Sequence, residues 1–407
     1  MAVNTLITPS LLGPSFGAGR STQMIDPHGG TLVNRILSGN AREEALERAA
    51  DLPKLLVAEE IAGDARNLAR GVFSPLDGFV GQAEFEGIVN EERLPDGTIY
   101  TIPIFLTVDD ADEVSEGDEV VLYDESAPET PVAIMTVEEV FEWDRAAAAA
   151  SVFGTDDMDH PGVAGYHSRG DYIVGGPVDL IDNDRGPFEK VNLFPAETRE
   201  VFEERGWRTV CAFQTRNVPH AGHEDLQKTV LGLCDGLMIQ PIIGKKKSGD
   251  YQDAVIIAAY EALIGNYFHP ERVFLNILPT EMRYAGPKEA IMHGIMRKNY
   301  GCTHIIVGRD HAGVGDYYGE EEAIEKFEAM ADELEIQPIT IRGDFWFCCE
   351  CGRVASNRTC PHEGDACLSF SGTEIRAMIR EGTPPRPEIM RTEVFEIITQ
   401  FDQPFCE

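Results

Sequence analysis

From residue 195 onward the chain alternates short apolar β-type runs with helical stretches, and this alternation constrains the fold more than any other feature. The runs are "TVCAF" (209–213), "LMIQPII" (237–243), "VFLNIL" (273–278), "HIIVG" (304–308) and "QPITI" (337–341). Between them lie "HEDLQKTVLGLC", "DYQDAVIIAAYEALIGNY", "GPKEAIMHGIMRKNY" and "EEAIEKFEAMADEL". Strand–helix alternation over this length implies an α/β domain with a doubly wound parallel sheet, whose ligands bind at the carboxyl ends of the strands.

Residues 1–190 read differently. Short β-rich pieces, "TIYTIPIFLTV" (98–108), "DEVVLYD" (118–124) and "PVAIMTVEEVF" (131–141), are separated by Gly, Pro and Asp turns and preceded by the helical "NAREEALERAADL". A small β-barrel or folded sheet is expected there, with "GVFSPLDGFVG" (71–81) as a packed structural loop. At 407 residues the chain accommodates two or three domains. The expected division is 1–190 and 191–407, the latter with a metal-binding insertion at 345–367 and a C-terminal helical segment.

The formal charge of −36 excludes nucleic acid and anionic membrane as natural partners, because like charge repels them. No run of about 18 apolar residues is present to span a bilayer. The start, "MAVNTLITPSLLGPSFGAG", lacks the basic opening of a signal peptide. Nine cysteines, five of them crowded between Cys348 and Cys367, argue for a metal site in a reducing cytoplasm over a secreted disulfide framework. With only nine lysines and 25 arginines, an anion-binding protein of this charge must gather its cations in one pocket.

Chemistry-bearing residues collect after the strands. "QTRNVPHAGHE" places Gln214, Thr215, Arg216, Asn217, His220 and His223 where a strand gives way to a helix. A helix start offers free N–H groups and positive dipole to phosphate, and imidazoles there can donate hydrogen bonds as transition-state charge builds. His223 is expected to open the helix, and Ala221-Gly222 to let a nucleotide approach the backbone. "VGRDHAGVGDYYG" (307–319) supplies Arg309, Asp310 and His311 between Gly308 and Ala312: a guanidinium fork, an imidazole and backbone donors for phosphate. In "SFSGTEIRAMIREG" (369–382), Ser371 or Thr373 can cap a helix whose first turns carry Arg376. "FWFCCECGRVASNRTCPHEGDAC" (345–367) has metal-site spacing: Cys348-x₂-Cys351, then Cys360, then His362, with Cys349 and Cys367 competing for the fourth place. Four protein ligands would make the metal structural. A P-loop reading of "IIGKKKSGD" fails, because Ile239 stands where the first glycine is required and Lys246 where Ser or Thr is. Lys245–Lys247 remain as the single lysine cluster, suited to steering anions.

Taken in order, these segments resemble the ATP sulfurylases of the H-x-G-H nucleotidylyltransferases. The resemblance extends through "PHGG" (27–30), "FSPLDGF" (73–79), "TIPI" (101–104), "HPGV" (160–163), "MRYAGPKEAIMHGIMRKNYGCTHIIVGRDHAG" (282–313) and "SGTEIR" (371–376). The family usually reads Pro-Met-His-Arg-Ala-His after Gln-Thr-Arg-Asn. Here Val218-Pro219 replaces Pro-Met and Ala221-Gly222 replaces Arg-Ala. The resemblance implies a Rossmann-like nucleotidylyltransferase sheet, a PUA-like N-terminal domain and a zinc ribbon at 345–367. It implies ATP plus sulfate giving adenylyl sulfate plus pyrophosphate with Mg²⁺, in a homo-oligomer, a dimer being favoured. By analogy Gln214, Arg216 and the backbone of Ala312 hold sulfate, Thr215 and Asn217 work on the nucleotide, residues 308–311 hold ATP, and His220 and His223 stabilise the phosphates. Another H-x-G-H adenylyltransferase with a different anionic acceptor is the alternative.

Overall fold

The computed structural model describes residues 24–407, so the stretch read as lacking a signal peptide lies outside the described residues. The N-terminal part is built on β1 (Lys54–Val57), β2 (Gly78–Phe79), β3 (Leu106–Val108), β4 (Glu119–Asp124), β5 (Pro131–Thr136), β6 (Glu139–Glu142) and β7 (Tyr172–Leu180). The long β7 is the hub. Its C-terminal end pairs with β5, its N-terminal end with β3 and β6, and its middle with β2, all antiparallel. The change of partners falls at Gly175-Gly176, where a Cβ on Gly176 would come 2.0 Å from the Thr136 carbonyl oxygen. No side chain fits at that corner, and the sheet folds over on itself there.

Two strand expectations need correction. "PVAIMTVEEVF" is two strands, β5 and β6, which meet β7 on either side of that corner. Of "TIYTIPIFLTV" only 106–108 is strand, although Ile99, Tyr100, Ile102, Ile104 and Phe105 are all buried. A segment enclosed on every side has no alternation to mark it as strand, and Pro103 withholds a ladder N–H.

"GVFSPLDGFVG" is the packed loop expected, and it docks on the C-terminal half. Asn299 Nδ2 donates to the carbonyls of Val72 and Ser74, each at 3.0 Å. Asn299 Oδ1 accepts the His28 backbone N–H at 2.9 Å, and His28 Nε2–H donates to the Ile99 carbonyl at 2.7 Å. One apolar core runs through this junction, from Phe73, Phe79 and Ile102 to Met238, Ile291 and Tyr300.

The second sheet comprises β8 (Val210–Thr215), β9 (Gly236–Ile243), β10 (Val273–Leu275), β11 (Leu278–Pro279), β12 (His304–Val307) and β13 (Gln337–Thr340). The order is β10-β9-β8-β12-β13, all parallel, with β11 pairing the far end of β9. Every residue of β9 is buried, as a central strand covered on both faces requires. "VFLNIL" divides into β10 and β11 because Asn276 exchanges hydrogen bonds with the Leu193 backbone, at 2.8 and 3.0 Å. Chain order reverses between β8 and β12, and this switch point opens a crevice at the strands' carboxyl ends. Beyond it, β14 (Phe345–Cys348), β15 (Arg353–Ser356) and β16 (Cys367–Ser369) form a small antiparallel sheet, followed by helices Gly372–Arg380 and Thr392–Ile398. Among the described residues no helix is long and apolar enough to cross a membrane.

Candidate active site

β8 and β12 are hydrogen-bonded neighbours, so the end of β8 with the loop after it, 214–220, and the loop after β12, 308–312, emerge side by side at the switch point. The helix after β8 spans Ala221–Leu231, so it starts two residues before His223, and His220 is its N-cap. His220 Nδ1 accepts the His223 backbone N–H at 3.4 Å, meeting a donor that the first helical turn leaves free. The two imidazoles stack with centroids 3.7 Å apart, and Phe370 stacks on the other face of His220 at 5.1 Å. Phe213 meets His223 edge-on. Gly222 is explained by this stack: a Cβ there would press on His220 Cε1 and Phe370 Cδ2, each at 3.0 Å. Its missing side chain makes room for rings, in place of the expected close approach of a nucleotide.

Burial pushes His223 down to about 4, and burial together with the His223 ring pushes His220 well below the usual imidazole range. Both are neutral at pH 7. They offer single N–H donors in place of full charges, and with Nδ1 of His220 engaged as an acceptor its proton lies on Nε2.

Positive charge comes from two arginines on separate segments. Arg216 Nη1 donates to the Tyr284 hydroxyl at 3.0 Å, and its Nη2 lies 3.4 Å from Asp250 Oδ2. Arg376 donates to Asn217 Oδ1 at 2.9 Å and lies 3.9 Å from Asp250 Oδ1. Asp250 therefore stands between two guanidiniums that would otherwise repel each other. Ser371 Oγ caps the Arg376 helix by accepting the Glu374 N–H. Thr215 Oγ1 accepts the Asn217 N–H at 3.1 Å and folds the loop. Gln214 Oε1, His223 Nδ1 and Arg376 Nε are buried without protein partners. Unpaired buried polar atoms are costly, and a polar ligand could satisfy these three.

After β12, Asp310 and Ala312 both take left-handed backbone, with φ of 50 and 59, a conformation that non-glycine residues adopt at some strain. The Asp310 N–H is held by the Glu320 carbonyl, and the Ala312 carbonyl accepts the Gly286 N–H. Arg309 is not a free fork: Glu320 and Asp344 engage it at 3.0 and 2.8 Å. His311 Nε2 lies 3.0 Å from Nδ1 of the buried His293.

Tyr284 also lines a cavity of about 610 Å³ between the two halves, bordered by Lys245, Lys246 and Lys247. Lys246 is tied to Asp253 at 3.0 Å, while Lys247 Nζ sits 4.4 Å over the Tyr284 ring. Lys247 thus shares Tyr284 with Arg216.

In the small sheet, Cys348, Cys351, Cys360 and His362 place their ligand atoms within 4.8 Å of one another. His362 Nδ1 is 3.4 Å from each of the three sulfurs, and Cys360 Sγ is 3.5 and 3.7 Å from Cys348 and Cys351. Tetrahedral bonds of about 2.0–2.3 Å require edges of roughly 3.5–3.8 Å, so the donor set fits a metal such as zinc. Cys367 stands outside it, with Sγ directed to the His362 carbonyl at 3.3 Å, and Cys349 is exposed.

Asp250, Tyr284, His293 and Phe370 were not singled out from the sequence. Asp250 is one of 70 acidic residues, and nothing local separates it from the rest. His293 had a signal, the spacing of four from Glu289 on one helix.

A parallel sheet with a switch point, a histidine-capped helix and paired arginines defines an α/β protein whose strand ends suit an anionic ligand. Comparison with known proteins narrows this. The ATP-sulfurylase family model matches residues 189–401, and a PUA-like domain model matches 25–183. A sulfate adenylyltransferase of Hyperthermus butylicus is 47% identical over 94% of this chain and 97% of its own length. One of Pyrococcus abyssi is 48% identical over 94% and 99%. The chain belongs to the sulfate adenylyltransferase (ATP sulfurylase) family. A solved structure described as a hexameric APS kinase from Thiobacillus denitrificans shares the fold, with a TM-score of 0.72 at 22% identity over 93% of this chain and 69% of that one.

Proposed function

We propose that this enzyme joins sulfate to the AMP moiety of ATP, releasing pyrophosphate, at the crevice between β8 and β12. The observation that carries the reading is Arg216 and Arg376 drawn together on Asp250 beside a helix N-terminus capped by stacked, neutral histidines. Both reactants are anions and sulfate is a weak nucleophile, so positioning and charge neutralisation must supply the catalysis. A sulfate oxygen attacks the α-phosphorus, the bond from that phosphorus to the α–β bridging oxygen breaks, and pyrophosphate leaves with the electron pair. No covalent enzyme intermediate is needed.

In this reading Arg216, Gln214 and the Ala312 backbone hold sulfate, with Thr215 and Asn217 setting the loop and the nucleotide. His220 and His223 donate to phosphate oxygens as the α-phosphate becomes five-coordinate. Residues 308–311 hold the nucleotide. Magnesium bound with the ATP phosphates would offset their charge, and the cluster of metal-ligating side chains found among the described residues is the cysteine–histidine set. That set holds a structural zinc. The chain divides near residue 190 into a PUA-like and a catalytic part, and works as a cytoplasmic homodimer.

The test is pyrophosphate release from ATP and magnesium, measured with and without sulfate. Sulfate-dependent release with formation of adenylyl sulfate is expected. Release that ignores sulfate but responds to a phosphorylated or carboxylated acceptor would transfer the site to that chemistry.

A further inference from the structure

Helix Pro287–Asn299 carries Glu289 and His293 four residues apart, both almost wholly inaccessible, at 2% and 1% exposure. They stand in one line of contacts that ends at His311. Glu289 Oε1 accepts the Arg283 N–H at 2.9 Å, and Oε2 accepts the Ala285 N–H at 3.0 Å. His293 Nε2 lies 3.4 Å from Glu289 Oε1, and His293 Nδ1 lies 3.0 Å from His311 Nε2.

We infer that Glu289 and His293 are positioning residues that hold His311 with its proton on Nε2, leaving Nδ1 as a bare acceptor for an N–H or O–H of the nucleoside. This rests on the proposal that residues 308–311 hold ATP.

The logic follows from proton counting. A carboxylate already accepting two backbone N–H bonds is an acceptor only, so the facing Nε2 of His293 carries a hydrogen. Burial opposes the charge on Glu289, but the bonds from His293 and the two backbone amides hold it below the usual range. Burial also lowers His293, which is therefore neutral with one ring proton, and its Nδ1 is a lone pair. Only a donor can face that lone pair across 3.0 Å, so His311 Nε2 carries its proton. Burial, His293 and Arg297 together keep His311 neutral. With the one ring proton on Nε2, its Nδ1 is left unprotonated as an acceptor.

A bare imidazole nitrogen repels a phosphate oxygen. The adenosine part of ATP offers what it needs, an exocyclic amine and two ribose hydroxyls. The expectation that His311 donates to phosphate is replaced by one in which it reads the nucleoside.

The first experiment labels the histidine rings of the full-length protein with ¹⁵N and reads their tautomers at pH 7.5, with His311 assigned through His311→Gln. A protonated Nε2 and bare Nδ1 on His311, without ATP and with it, is expected. A protonated Nδ1 overturns the inference whether or not the enzyme adenylates sulfate, so this arm is independent of the proposed reaction. The second experiment compares His293→Asn, whose Oδ1 can still accept from His311, with His293→Leu, which cannot. Losing one neutral hydrogen bond, His293→Leu should raise the KM for ATP about five- to tenfold, with inhibition by inorganic pyrophosphate unchanged and His293→Asn near the parent. If His293→Leu weakens pyrophosphate and ATP alike, or if His293→Asn fails as badly as His293→Leu, the nucleoside reading is wrong.

Discussion

The imidazoles of His220 and His223 lie face to face, 3.7 Å between centroids and 22° from parallel, although the two residues stand differently to the helix Ala221–Leu231. His220 stands outside the helix as its cap, while His223 is in the first turn. Their substitutions should therefore separate. His223→Ala removes one preorganised donor and should lower kcat by ~10²–10³ with folding and ATP affinity little changed. His220→Ala also removes the cap, with a loss of about 1 kcal/mol of stability, which His220→Asn should restore without restoring the rate. Steady-state kinetics and urea midpoints on the three variants check this. Near-parental turnover in His223→Ala would remove it from the chemistry.

Arg216 should act on sulfate itself. In the proposed role, Arg216→Ala removes a direct charge partner of the nucleophile, so the sulfate KM should rise by roughly an order of magnitude or more while the ATP KM changes little. Arg216→Lys should not rescue it, because an ammonium cannot span Tyr284 and Asp250 as the guanidinium does. Sulfate saturation curves at saturating ATP decide. An unchanged sulfate KM would detach Arg216 from that anion.

The cysteine–histidine cluster should be felt at the candidate active site. β16 ends at Ser369, and the next residue, Phe370, stacks on His220. The protein should contain about one zinc per chain, and Cys351→Ser should lose it together with thermal stability. Turnover should fall as well, because the ring backing His220 loses its anchor. Metal content, melting temperature and kcat on one preparation test the linkage. A metal-free protein with parental stability and rate would break it.

Acid should loosen the junction through His28. Burial, with Lys298 nearby, holds this imidazole at about 4, below the 6.5 expected in the unfolded chain. A depressed folded value means the unfolded state takes the proton first. The stabilisation is thus fully present above pH 6.5 and is lost as pH falls from there toward 4, by up to ~3 kcal/mol. His28→Gln keeps a donor for the Ile99 carbonyl but cannot titrate. Between pH 7 and 4.5 the parent's urea midpoint should therefore fall further than the variant's. Equal falls would show that His28 is not the titrating group.

Local patterning made much of this protein legible. The parallel sheet was readable because each apolar run has its own helix, while the strand order that places the switch point between β8 and β12 is seen only in the structure. The residues of "QTRN" and "HAGH" stood out because so many polar side chains at a strand end need a ligand. The cysteine–histidine cluster was readable from spacing, because "CxxC" and "CPH" confine four donors to the turn after β14 and the segment after β15. Strand limits in the N-terminal part were less accessible, because wholly buried segments such as 99–105 lose the alternation that distinguishes a strand.

What the sequence alone determined is the set of chemical parts and the strand end to which each is attached. Only the tertiary structure decided their partners. Asp250 reaches Arg216 and Arg376 from a loop between them in the chain, Phe370 reaches His220 across 150 residues, and Glu289 and His293 reach His311 through the core. Such pairings carry no local signature, because the physical chemistry that selects them is burial: a charge or a ring removed from water must meet its partner wherever the packed chain places it.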